Sequence, residues 1–184
     1  MMGVVAQRVP DHDRGTRFDA LFAAHFPAVR AYVVRRSGAA PVDDVLSETF
    51  LVAWRRLDAV PEDALPWLLG VARRVLANQR RGEARRAALI GRLTGALAHA
   101  RIAEPAGEAF GALADALASL PAVEREALLL VAWEELEPGR AARVVGCSPA
   151  AFRARLYRAR RRLAARLGEP PLRHFEERTT EEAR

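Results

Sequence analysis

The stretch GCSPAAFRARLYRARRRL, residues 146–163, decides how this chain folds. Gly146 can take the left-handed backbone conformation that ends one helix, and Ser148-Pro149 opens the next. The serine hydroxyl accepts from free N–H groups of the first turn, and the proline arrives with its φ already set. On a wheel of about 100° per residue, Phe152, Leu156, Ala159 and Leu163 form one apolar stripe. Away from it Ala150, Ala151 and Ala154 make a small-residue face flanked by Arg153 and Arg155, with Arg158 and Arg161 further along. Upstream, Pro121 suits the first turn of a supporting helix that carries Val123, Ala127, Leu130 and Val131 at helical spacing. A break at Glu137-Pro138-Gly139 leads to the short run RAARVVGC, whose Ala142 and Val145 can face inward. Helix, glycine, turn and capped helix are the local grammar of a helix-turn-helix.

The last helix carries seven arginines between Ser148 and Leu167 and no acid. Small side chains let a helix approach the floor of a major groove, and arginine takes guanine edges bidentately or neutralises phosphate. A solvated face without a ligand usually mixes charge signs, so the pattern favours DNA. The whole chain leans the same way: formal net charge is +6, and all 29 basic residues are arginine.

Outward from this block, 184 residues that are 51% hydrophobic and 28% charged describe a folded protein rather than a tail. From Phe18 onward apolar residues recur at three- and four-residue steps with no strand-like alternation. The fold expected is all-α: two small helical domains joined by a flexible linker. An extension covers residues 1–17, a first block runs over 18–82, an Ala/Gly/Arg-rich linker over 83–111, the helix-turn-helix over 112–167, and a polar tail over 168–184.

In the first block, PVDDVLSETFLVAWRRL buries Val42, Leu46, Phe50, Ala53 and Leu57 and brings Asp44, Glu48, Leu51 and Arg55 together on the opposite face. A leucine in an acidic patch on a basic protein reads as a contact point for a protein partner, although Asp43 and Asp44 also complement the helix dipole. The next helix, about residues 63–81, buries Trp67, Val71 and Val75 and crowds Arg73, Arg74, Arg80 and Arg81 with Asn78 on its other side and end. Cations beside an amide suit single-stranded or distorted nucleic acid. Trp54 and Trp67 read as packing residues.

Taken together, FDALFAAHFPAVRAYVVRR, DDVLSETFLVAWRRL, PWLLGVARRVLANQRR, LPAVEREALLL and GCSPAAFRARLYRARRRL resemble the bacterial RNA polymerase sigma factors of the extracytoplasmic-function group, in the sigma-70 family. The resemblance implies a transcription initiation factor that joins core RNA polymerase, directs it to promoter DNA and helps melt the minus-ten region. Asp44, Glu48, Leu51 and Arg55 would then grip the polymerase. Arg73, Arg74, Asn78, Arg80 and Arg81 would hold the minus-ten strand, while Ser148, Arg153, Arg155 and Arg158 would contact the minus-thirty-five element. An anti-sigma protein would be a further partner if this chain is regulated as some such factors are.

Competing readings are a two-domain helix-turn-helix regulator that acts without polymerase, and a small adaptor that only holds proteins. An enzyme is not expected. There is no glycine-rich phosphate loop, His12, His25, His99 and His174 are scattered without ligand spacing, and Cys147 has no base in view and reads as a small buried residue. No cofactor and no metal are expected. No apolar run approaches the roughly 18 residues of a membrane span. The opening MMGVVAQRVPDHDRG lacks the apolar segment of a signal peptide, so a cytoplasmic location without membrane insertion is expected.

Overall fold

The computed structural model describes residues 11–38, 40–94 and 108–168, and every described element is helical. The chain divides into two compact units, residues 1–100 and 101–184.

The first unit is a three-helix assembly of α1 (Asp11–Ser37), α2 (Val42–Arg55) and α3 (Ala64–Thr94), with a 3-10 turn at Leu57–Ala59. Val29, Tyr32 and Val33 of α1 meet Val45, Leu46, Phe50 and Ala53 of α2 and Leu68, Leu69, Ala72 and Leu76 of α3, all buried. At one end the aromatics of α1 gather on α2. Phe18 meets Trp54 edge-on at 5.3 Å between centroids, and Phe22 lies 4.7 Å from Phe50. Such ring pairs add about 1 kcal/mol each beyond the area they bury. Thr49, buried on α2, satisfies its hydroxyl by donating to the Val45 carbonyl at 2.7 Å.

The first helix starts earlier than the periodicity suggested. Residues 11–17 belong to α1, and two arginines there reach the far end of α2. Arg14 donates to the Trp54 carbonyl at 2.7 Å and sits over its ring, and both Arg14 and Arg17 approach Asp58 at 3.2 Å. Gly82 likewise does not end the third helix, which continues to Thr94. A Cβ at Gly82 would meet nothing within 4 Å and its φ is not left-handed, so it is an ordinary helical glycine rather than a stop. The expected linker therefore begins as helix, and residues 95–107 and 169–184 lie outside the described residues.

The second unit contains α4 (Glu108–Ala118), α5 (Ala122–Ala132), α6 (Pro138–Val145) and α7 (Pro149–Leu167). Phe152, Leu156 and Ala159 of α7 pack on Ala127 and Leu130 of α5 and on Ala141, Ala142 and Val144 of α6, all buried. The turn follows the grammar read from sequence. Gly146 adopts φ +70°, its N–H and that of Cys147 return to carbonyls of α6, and Pro138 and Pro149 occupy first-turn positions.

Several expected positions shift. Pro121 is the N-cap of α5 rather than part of it, and that phase leaves Val123 53% exposed. In α6 it is Val144, not Val145, that reaches the core, and Val42, Leu163 and Cys147 are only half-buried.

Candidate polymerase and nucleic-acid interfaces

On α2 the four partner-face residues sit at steps of four, three and four, which returns each to the same side of the helix. Asp44, Glu48, Leu51 and Arg55 are all exposed, and Leu51 keeps 45% of its surface open to solvent. The core holds the reverse side of α2, and among the described residues Leu51 takes no part in it. An apolar side chain ringed by both charge signs can serve as an anchor that a partner desolvates while charged neighbours fix the register.

Beside that face runs an open groove between α2 and α3. Glu48, Val52, Arg55 and Arg56 line it from α2, and Trp67, Val71, Arg74, Val75 and Asn78 from α3. Trp67 is half-buried, not the core residue expected, and it lines the groove. Arginines, an amide and an indole around one channel can attract a phosphate backbone and contact or stack an unpaired base. Arg56 was missed in the sequence because its relevance depends on which flank of α3 lies opposite.

The five residues expected to hold the single strand fall on two sides of α3. Arg74, Asn78 and Arg81 share one face of α3, and Arg81 donates to the Asn78 Oδ1. Arg73 and Arg80 lie on another flank, where Arg80 donates to the carbonyl of Arg36 at 2.5 Å. Asn78 also stands within a continuous helix instead of at its end, so it faces the groove by helical phase and not by projecting past a break.

In the second unit Ser148 caps α7, its Oγ accepting from the Ala151 N–H at 3.2 Å. Ala150, Arg153 and Ala154 are exposed and Arg155 is half-buried. Tyr157, absent from the sequence reading, is 64% exposed on the outward side of the same helix. Its one available signal is its place four residues after Arg153. Arg158, also expected to contact DNA, has an ion-pair partner within the unit. It turns toward α5, where its Nε lies 3.5 Å from Glu124 Oε1, and Arg162 lies 3.3 Å from Glu124 Oε2.

Among the described residues no group of three or more His, Cys, Asp or Glu could hold a metal, and no helix is long and apolar enough to cross a membrane.

Comparison with known proteins divides the chain along the same lines. Residues 21–86 match the family model described as Sigma-70 region 2, and residues 110–163 match Sigma-70, region 4. The chain is 32% identical over 155 residues to the ECF RNA polymerase sigma factor EcfG of Rhodopseudomonas palustris, covering 81% of this chain and 83% of that one. It is 34% identical over 161 residues to the ECF RNA polymerase sigma factor SigC of Mycobacterium tuberculosis, covering 82% and 83%. Among solved structures it resembles the sigma factor RpoE of Bartonella quintana in complex with the anti-sigma factor NepR, with TM-score 0.63, 25% identity, and coverage of 82% of this chain and 96% of that one. It also resembles CnrH in complex with the cytosolic domain of CnrY, with TM-score 0.57, 26% identity, and coverage of 82% and 87%.

Proposed function

The chain belongs to the extracytoplasmic-function group of the sigma-70 family, and from that premise we propose how its two units share the work of starting transcription. The protein is an initiation factor that binds core RNA polymerase and recognises promoter DNA. In our assignment α2 holds the polymerase through Leu51, with Asp44, Glu48 and Arg55 setting the register. The groove beside it takes the minus-ten strand: Arg74 and Arg81 attract the backbone, and Asn78 hydrogen-bonds an unpaired base edge. The helix capped by Ser148 enters the minus-thirty-five element with Arg153 and Arg155 reading or clamping it.

One observation carries this reading: Leu51 is exposed in the centre of a charged face on the same unit that lines a groove with Trp67, Arg74 and Asn78. A polymerase contact and a strand contact side by side suit melting, because the strand is captured where the enzyme holds it. The protein works in this account as a binding factor, in the cytoplasm, without catalysing a reaction of its own. Because RpoE is seen with the anti-sigma factor NepR, we extend an inhibitory protein partner of that kind to this chain as well.

Size-exclusion of the full chain with core polymerase and labelled promoter duplex tests the assignment. Co-migration with core enzyme, and DNA selection only in that complex, is expected. A dimer of the chain that shifts DNA without polymerase would replace this reading with that of a free-standing regulator.

A further inference from the structure

Glu124 is 5% exposed, and it is an acid in the first turn of α5. A carboxylate there that only complemented the helix dipole would stay in solvent. Instead it lies beneath α7 with two guanidinium groups on it, Arg158 at 3.5 Å from Oε1 and Arg162 at 3.3 Å from Oε2. Oε2 makes no aligned hydrogen bond, so the contact with Arg162 is one of charge more than direction. A buried carboxylate without cations beside it is strongly disfavoured, which fixes both arginines toward α5. Arg158 and Arg162 are one turn apart on α7 and each remains 53% exposed, so without Glu124 both could swing outward to phosphate.

We propose that Glu124 is a positioning residue for promoter recognition, holding Arg158 and Arg162 against α5 so that contact with DNA falls to the first turns of α7. The proposal rests on the reading of α7 as the groove helix. Each arginine withheld removes one sequence-blind phosphate contact, and such contacts strengthen correct and incorrect sites alike. Restraining two of them lowers gross affinity while preserving the difference between sites that Arg153 supplies.

The test uses holoenzyme assembled from the full chain and core polymerase. Its probes are a duplex whose upstream element was selected from random DNA by the wild-type holoenzyme, and a scrambled duplex of equal length. For Glu124→Gln, which keeps the shape but removes the charge and turns one acceptor oxygen into a donor NH2, binding to the scrambled duplex should tighten. The slope of log affinity against log salt should steepen by about one to two, the contribution of one or two new phosphate contacts. Binding to the selected duplex should tighten by the same factor, leaving the ratio of selected to scrambled affinity unchanged, and Glu124→Asp should keep the wild-type slope. A folded Glu124→Gln with an unchanged slope overturns the proposal.

If Glu124→Gln does not fold, the single variant Arg162→Gln decides, since Arg158 stays beside Glu124 as its counter-charge. An unchanged slope supports the proposal, and a slope shallower by about one overturns it by showing that Arg162 already contacts phosphate. Arg153→Ala in parallel separates the two failures. If it alters neither affinity nor preference at the upstream element, the reading of α7 itself fails. If it relaxes preference while the Glu124 variants do nothing, only the positioning role fails.

Discussion

Arg80 donates from α3 to the backbone carbonyl of Arg36 near the end of α1, 2.5 Å away. The last carbonyls of a helix lack partners within it, and a guanidinium is well suited to fill one. Arg36 is itself buried and stacked at 3.9 Å on the Tyr32 ring, so the bond ties α3 to a packed part of the first unit. Arg80→Ala should lower stability by about 1 kcal/mol, the net worth of such a bond in a partly buried place. It should also leave strand opening by the folded fraction close to normal. Urea titration followed by circular dichroism checks the first, and a loss of opening with unchanged stability would return Arg80 to the strand-binding set.

Leu51→Ala combined with Glu48→Arg should weaken binding to core polymerase by about 2 kcal/mol or more, as expected for a central apolar anchor. Neither residue supports the core, so helicity and unfolding midpoint should hold. Titration against core enzyme reads the effect, and unchanged affinity would remove this face from the polymerase contact.

Arg153→Ala should cost about 1–3 kcal/mol and relax preference at one position of the upstream element if the contact is a bidentate one to guanine. A scan of single base substitutions distinguishes this from a phosphate contact, whose loss would weaken every sequence evenly.

Local chemistry explains what could be read before the structure. The Gly146 turn and the Ser148 cap each depend on atoms within a few residues, so the corner between α6 and α7 was legible, whereas the depth of Val123, Val145 and Leu163 was not. The stripe of α2 was legible too, because a core face and a charged face alternate with the helical period. Residues whose roles rest on distant partners were not. Glu124 looks like a dipole-complementing acid until α7 is laid over it, and Arg80 looks like a strand-binding cation until α1 is found ending beside it. Gly82 misled for the opposite reason. Glycine permits a break without requiring one, and the surrounding Arg and Ala residues favour helix strongly enough to carry it through.

Asn78→Ala should impair strand opening more than initial promoter binding. Its side chain lies on the groove wall with Trp67 and Arg74 and offers both a donor and an acceptor to an unpaired base. Capturing such a base offsets an unstacking cost of a few kcal/mol. Transcription from a template pre-melted across the minus-ten element should therefore recover what the duplex loses. If pre-melting restores nothing and polymerase binding also falls, Asn78 is a structural residue of α3, where it already accepts from Arg81.

The central claim is that one chain supplies both the grip on polymerase and the choice of promoter, and run-off transcription in a purified system tests it most directly. Core polymerase with the full chain should yield transcripts from the selected promoter and none from a scrambled one. Core polymerase alone should yield neither. Equal transcription from both templates, or none from either while the chain binds DNA alone, would contradict the account.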